Sequence, residues 1–351
     1  LIKETDNMKT RRGIIGLLLA VLLCSGSVIA QKVGSTSLQF LKVMPNARAT
    51  AMGDAYVVLA SGAEAVFWNP AGLAYAENYE FSLTYLKWIF DTQQGAISGA
   101  VSFGDWGSVG VQLQYVDFGT IDEALWVPPY TEDILYPGLT GRTFRPYAIV
   151  AGVSYAAAIT NKFVTGITVK YAHESLYNGD RIDAVRGEFG TDTVDAKTWT
   201  DGLLFDFGIN YNTGFRTIRI AASAQNFGAN VQYAEESSVV PMSLRLGIAA
   251  DLMGADALLL PAESSRLGIA FDLFQPNDYA QQAHFGVEYE FEKTVALRGG
   301  YKFGYDADGL TAGLGLKQML GDLRLALDYS YGMLHYNLGD VHRISVGVKF
   351  Q

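Results

Sequence analysis

The sequence predicts an all-β fold, a transmembrane antiparallel β-barrel of about 14 strands with a small N-terminal plug inside the lumen. Three observations predict it. The chain carries 38 Gly, 20 Tyr and 19 Phe with only 18% charged residues, a balance that suits many short strands and tight turns. After Glu77 it becomes a series of segments whose hydrophobicity alternates with a period of two. The connections between those segments fall into a short set and a long set on opposite sides.

The N-terminus gives an address. Lys9, Arg11 and Arg12 precede the apolar run Ile14 to Leu23, and small or β-branched residues lead from Ser25 to Ala30. That is the pattern of a secretory signal peptide over 1–30, with Met8 as the natural start and 1–7 as an upstream extension. The run is far short of the ~20 apolar residues that a spanning helix needs. Cys24, the only cysteine, lies within this leader. A mature chain starting at Gln31 therefore has no disulfide, thiol nucleophile or thiolate metal site.

Residues 31–78 are rich in Ala and Gly, with short helical turns expected around 46–52 and 63–67, and are read as the plug; 79–351 is read as the barrel. Strands are expected near 79–89, 94–103, 107–118, 143–158, 162–174, 199–212, 216–230, 240–252, 265–274, 281–292, 294–305, 309–318, 321–333 and 342–350. The pattern is clean near the C-terminus. Leu323, Leu325, Leu327, Tyr329 and Tyr331 alternate with Arg324, Ala326, Asp328 and Ser330, and Ile344, Val346, Val348 and Phe350 with Arg343, Ser345, Gly347 and Lys349.

If the first strand runs outward, the connections on one side are 104–107, 159–161, 213–215, 253–264, 293 and 319–320, nearly all tight. Those on the other side include 119–142, 175–198, 231–239 and 334–341. Short periplasmic turns and long extracellular loops mark a barrel of the bacterial cell outer membrane, multi-pass, with N- and C-termini periplasmic and lipid as its surroundings. Tyr171, Tyr305 and Tyr331 then fall at the outer girdle, and Tyr211, Phe291 and Phe350 at the inner one. The bilayer requires closure, since every backbone group facing lipid must be paired within the sheet.

A barrel wider than about eight strands encloses more space than its own side chains fill, and the plug supplies the rest. The inward faces carry Arg245, Asp251, Arg266, Asp272, Glu288, Glu290, Arg298, Lys302, Arg324 and Asp328. Charges in such a place need partners. Arg48 of the plug is expected to reach the lumen carboxylates.

Nothing in the sequence builds an enzyme. No Ser stands in a G-x-S-x-G elbow, and His173, His284, His335 and His342 lack zinc spacing, so no catalytic residue, metal or cofactor is assigned. His284 faces the lumen near Glu288, where a structural hydrogen bond outweighs an acid–base pair. Asp308-Gly309 reads as a hairpin turn rather than half of a calcium loop. The formal charge of −10 argues against nucleic acid as a partner. The acidic and aromatic stretch Ile121–Tyr130 reads as a solvated loop, with contact to a protein partner as the alternative.

Phe40-Leu41-Lys42-Val43-Met44-Pro45-Asn46-Ala47-Arg48-Ala49-Thr50-Ala51-Met52-Gly53-Asp54-Ala55, followed by Trp68-Asn69-Pro70-Ala71, resembles the N-terminal signature of the PorV/PorQ family, within the broader FadL-like group of outer-membrane barrels. Lys87-Trp88 and Asn226-Phe227-Gly228 add to the likeness. The resemblance implies a barrel with an N-terminal hatch that acts in protein export or surface attachment, a type IX secretion-like accessory binding secreted cargo or other secretion components. The alternative it implies is a FadL-like channel for long-chain fatty acids or other hydrophobic compounds, with a hydrophobic small molecule as ligand. Two features depart from these patterns. The strand at 107–118 has no break beyond Gly110 where a transporter would open sideways, and the loops look short for a cargo platform.

The residues singled out in the plug are Arg48, Gly53, Asn69, Pro70 and Ala71. In Phe67-Trp68-Asn69-Pro70-Ala71-Gly72-Leu73-Ala74, Pro70 is expected to fix a turn, small residues to allow close packing, and Phe67 and Trp68 to anchor the hatch. Asn69 either caps that turn or lines a passage.

Overall fold

A computed structural model describes residues 34–125, 138–178, 181–186, 192–234 and 236–350. The leader at 1–30 and the second half of the Ile121–Tyr130 loop lie outside the described residues.

Period-two segments become strands where one face can be buried and the other left to lipid. The barrel strands are Tyr79–Lys87 (β1), Gln93–Ser102 (β2), Ser108–Asp117 (β3), Tyr147–Ala158 (β4), Phe163–Ser175 (β5), Trp199–Asn212 (β6), Arg219–Gly228 (β7), Ser243–Gly254 (β8), Ser265–Pro276 (β9), Gln282–Phe291 (β10), Val295–Phe303 (β11), Asp308–Leu320 (β12), Leu323–Leu334 (β13) and Asp340–Phe350 (β14). Each pairs antiparallel with its chain neighbours. β1 pairs with β14, with Tyr79 opposite Phe350, and this closes the sheet into the expected 14-stranded barrel. Closure leaves no open edge, as a lipid-embedded sheet requires.

The ladder is uneven. β3 is paired without a register shift along its whole length, to β2 on one side and β4 on the other. β7 and β8 pair only from Arg219 to Gln225, and β6 and β7 slip register between Phe205 and Phe207. The wall is therefore unbroken at β3, where a side opening would have been sought.

The outer surface is apolar: Leu83, Val111, Leu203 and Leu314 are each more than half exposed, as befits a lipid-facing wall rather than a water-facing one. Tyr171 stands on this surface at its expected level, 48% exposed, but Tyr305 does not. Lys302 points inward and Phe303 outward, and then Gly304 adopts a left-handed φ of 79° that breaks the alternation. Tyr305 turns inward and stacks on His284, leaving Tyr301 and Phe303 as the exposed aromatics of β11. The turn between β11 and β12 is Gly304–Ala307, so Asp308 and Gly309 start a strand instead of making the turn.

The connections keep their two-sided division. Turns 159–162, 292–294 and 321–322 are short, whereas the opposite end carries loops that fold into hairpins of their own. Ile121–Leu125 pairs with Gly138–Phe144, Arg181–Arg186 with Asp192–Lys197, and Val231–Tyr233 with Glu236–Ser238. The described parts of these loops thus carry paired strands where the sequence suggested too little material for a platform.

Residues 34–78 run through the interior as short pieces: a 3-10 turn at Gln39–Lys42, a helix at Ala47–Ala51 capped by the Asn46 side chain, a turn and helix over Gly62–Trp68, and a 3-10 turn at Pro70–Tyr75. Thr36 bridges to Val239 of the loop between β7 and β8, so the described chain starts at the long-loop end, opposite Phe350. The terminal residues Leu1 and Gln351 themselves lie outside the described residues.

Candidate functional site

The interior segment meets two kinds of wall. Along β8–β14 it is held by polar groups. The backbone N–H of Ala47 donates to Ser345 at 2.8 Å, Thr50 and Ser330 share a hydroxyl bond of 2.8 Å, and Gly53 N–H donates to Thr311 at 3.0 Å. The N–H groups of Tyr56 and Val57 both donate to Asp272, each at 2.9 Å. Gly53 has a φ of 62°, and a Cβ there would meet the backbone N of Tyr301 at 2.6 Å, so both backbone conformation and space demand glycine.

Arg48 donates to both carboxylate oxygens of Glu288, each at 2.9 Å. Glu288 also accepts from Arg266 at 2.6 Å and Arg298 at 2.7 Å, and Arg298 reaches on to Asp328 at 2.6 Å. One carboxylate, 1% exposed, thus joins the plug to two wall arginines. Bidentate and charge-assisted bonds of this kind are the strong ones. Glu290 takes Lys317, and Arg324 makes only a long 3.8 Å pair with Glu77 near the short-turn rim.

A second cluster lies toward the long-loop end. Lys302 binds Asp54 of the plug at 2.7 Å and Asp308 at 3.1 Å. Burial opposes the charge of Asp54, but Lys302 and the cations around it outweigh that and hold its carboxyl below the usual value. Arg245 donates to the carbonyl of Asp54 at 2.9 Å and packs over the rings of Trp68 and Phe274. It also lies 2.9 Å from Nδ1 of His284, whose Nε2 is 2.8 Å from the Tyr305 hydroxyl. A guanidinium can only donate, so Nδ1 accepts and Nε2 carries the proton. His284 therefore has a cation and a phenol as neighbours where the sequence suggested Glu288.

Along β1–β7 the same segment is held by packing. Val66, Phe67, Trp68 and Leu73 form one apolar cluster with Ala96, Ala100 and Ala156 of the wall. Asn69 is fully buried; its Oδ1 accepts from Ala71 N–H at 3.1 Å, and its Nδ2 donates to the carbonyls of Val57 and Ile209 at 3.0 and 3.2 Å. Pro70 occupies the first position of the turn, where a missing N–H costs nothing. Asn69 is thus a cap and a staple to β6.

Both ends of the lumen have character. At the long-loop end Leu38, Phe40 and Leu41 pack on Val116, Val150, Leu204 and Val240, and Asp278 accepts from Thr36 at 2.6 Å, Gln39 at 2.9 Å and Lys42 at 2.8 Å. Sequence reasoning missed Asp278, because a carboxylate in a short loop carries no periodic signal. On the same face Glu123 accepts from Thr140, Arg142 and Tyr177, tying one loop to the next. At the short-turn end a cavity of about 860 Å³ opens between the plug and a wall running from β7 through β14 to β1, lined mainly by charged side chains of both signs. Among the described residues no His, Cys, Asp and Glu group is placed to hold a metal.

Solved outer-membrane structures share this architecture, three of them as follows. The monoaromatic hydrocarbon channel CymD matches with a TM-score of 0.56 at 11% identity, over 88% of this chain and 98% of that one. The toluene transporter TodX of P. putida matches with 0.52 at 13% identity, over 86% and 97%. The toluene transporter TbuX of Ralstonia pickettii matches with 0.51 at 13% identity, over 87% and 98%. At such identities the likeness speaks for the fold alone. Among curated proteins none matches the sequence. The family model described as type IX secretion system protein PorV matches residues 27–267, which hold the whole interior segment, the first eight strands and the start of the ninth, and the chain is accordingly an outer-membrane β-barrel that belongs to the PorV family.

Proposed function

We propose that this barrel acts in protein export or surface attachment as a type IX secretion-like accessory that binds exported cargo at its long-loop face. The observation that carries the reading, beside family membership, is that this face is built. Three hairpins stand on it, and Glu123 and Glu174 link neighbouring loops through Tyr177 and Tyr233. A lumen crossed by the Arg48–Glu288 and Asp54–Lys302 pairs leaves the rim as the surface on offer to a large partner.

On this reading residues 31–78 are a hatch and 1–30 a leader for export. The short-turn end with Phe350 faces the periplasm, and the start of the described chain lies toward the exterior. Binding involves no catalytic step and no cofactor. Capture on tagged barrel from its own host, followed by mass spectrometry, tests it: secreted proteins should be recovered with the intact barrel and lost when the 121–144 hairpin is replaced by a short linker. Recovery of none with the intact barrel would count decisively against cargo binding.

One observation favours a second reading, a channel for long-chain fatty acids or other hydrophobic compounds such as the hydrocarbons named for CymD and TodX. The apolar cluster around Leu38 and Phe40 is the kind of surface such a molecule would use. The charged cavity at the opposite end supports the first reading over it. Extraction of purified barrel and analysis for bound lipid distinguishes the two.

A further inference from the structure

The outward surface carries a polar cluster that a wall facing only acyl chains would not need. At the long-loop ends of β5 and β6, on the side away from the lumen, Asp201 stands directly opposite His173. Its Oδ1 accepts from the Tyr171 hydroxyl at 2.5 Å and from Nδ1 of His173 at 2.9 Å, and Nζ of Lys197 lies 3.6 Å from its Oδ2. A carboxylate only accepts, so Nδ1 donates, and Nε2 of the neutral ring is left as an acceptor. Among the described residues nothing donates to Nε2, and the Asp201 side chain is 40% exposed. Flat rings surround this core. Tyr147 lies 5.7 Å from His173 and stacks on Tyr115 at 6.3 Å with an interplanar angle of 20°, and Lys197 lies over Trp199 at 5.2 Å. A similar combination recurs on β13 and β14, where the Tyr329 hydroxyl is 2.8 Å from Nδ1 of His342 and Tyr331 meets that ring edge-on at 5.6 Å. The short-turn end differs. Phe103, Trp106 and Phe215 are each more than half exposed there, and among the described residues none of them stacks on another ring.

A carboxylate on the outward face is tolerated at the headgroup level and penalised deeper in the bilayer, so this cluster sits among headgroups. Its chemistry matches one kind of headgroup. The C–H face of a sugar ring packs on an aromatic face, while the hydroxyls around its edge donate to carboxylate or imidazole and accept from ammonium. The exterior leaflet of a bacterial outer membrane is built of glycolipid and the inner leaflet of phospholipid, and the contrast between the two rims follows that asymmetry. We infer that the outer ends of β3–β6 hold the sugar headgroup of an exterior-leaflet glycolipid, seated against Tyr115 and Tyr147 with its hydroxyls on Nε2 of His173, Oδ2 of Asp201 and Nζ of Lys197. Lys197 closes the hairpin Arg181–Arg186 with Asp192–Lys197, so the bound headgroup anchors one loop of the cargo face to the membrane surface. The inference rests on the orientation proposed above, with the long-loop end outside, and makes no use of cargo.

Native mass spectrometry of the purified full-length barrel in a sugar-free detergent, titrated with deep-rough lipopolysaccharide in one arm and phosphatidylethanolamine in the other, reads the site. A saturable glycolipid adduct is expected, displaced by the sugar portion of the same lipid alone, with no saturable phospholipid adduct. Asp201→Leu and His173→Leu, both on the outward surface, should each weaken it by about tenfold or more. Tyr211→Leu, at the other rim, should leave it unchanged. Because a variant can fail to fold, carbodiimide labelling of the unsubstituted barrel gives a second readout: Asp201 should be protected in phosphatidylethanolamine vesicles that contain lipopolysaccharide relative to vesicles that lack it. No saturable glycolipid adduct, an adduct unaffected by both substitutions, or equal labelling of Asp201 in the two vesicles would each overturn the inference and leave the orientation standing. A saturable phospholipid adduct that is lost in the same two variants would overturn the orientation with it.

Discussion

The two halves of the barrel wall hold one plug by different physics. From β8 to β14 the inward faces carry Arg245, Asp272, His284, Glu288, Arg298, Lys302 and Asp328, and the plug answers with Arg48, Asp54 and backbone N–H groups. From β1 to β6 they carry mostly small or uncharged residues such as Ala96, Ser98, Gln112, Ser154 and Thr168, and the plug answers with Val66, Trp68 and Leu73. Apolar packing is non-directional and tolerates small shifts, whereas buried ion pairs fix register and are costly to leave half-made. The charged wall therefore sets where the plug sits, and the packed wall supplies close contact once it is there.

Breaking the charged wall should have the largest effect. Glu288→Ala leaves Arg48 without its carboxylate and Arg266 and Arg298 with only Asp251 and Asp328, and is expected to cost ~3–5 kcal/mol in urea unfolding of the barrel; a loss below about 1 kcal/mol would mean that this network does not hold the plug. Trp68→Ala breaks the packed wall and removes the ring under Arg245, with a similar expected loss at the upper end and a smaller one if the cavity collapses, about 3–5 kcal/mol. If it costs far more than Glu288→Ala, the division of labour is the reverse of that argued here.

Asn69→Ala sharpens the packed side. It deletes a cap and two bonds to carbonyls, so unfolding should show a loss of about 1–2 kcal/mol, and unchanged stability with altered cargo or ligand binding would restore the passage-lining reading. The smallest effect concerns pH. Glu64 of the plug is half-buried, and desolvation, with Asp328 nearby, pushes its carboxyl above the usual 4.5. A group raised on folding contributes stability that is fully present below its unfolded value and is lost as pH rises through its folded one. Wild type should therefore lose unfolding midpoint from about pH 4.5 upward relative to Glu64→Gln, and parallel profiles for the two proteins would remove Glu64 from the account.

The strands were the legible part of the molecule, because inward and outward positions alternate within a single segment and need no knowledge of the partner strand. Leu323 through Tyr331 announced both faces of β13, and the two helical turns of the plug were visible in its Ala-rich stretches. Tyr305 was misplaced because one left-handed glycine ends the alternation before it. The loop hairpins were missed because Val231–Tyr233 and Glu236–Ser238 are too short to show a period. Asp278 was illegible for a further reason: what distinguishes it is its partners Thr36, Gln39 and Lys42, which lie far away in sequence.

By itself the sequence determined a closed wall with a lipid face and a lumen face, since period-two burial is a local property of the chain. It also determined that both signs of charge would face inward. Only the tertiary structure decided which charges meet. Arg48 and Glu288 are 240 positions apart, as Lys42 and Asp278 are 236 apart, and such contacts depend on how fourteen strands close around the plug, which no local pattern encodes.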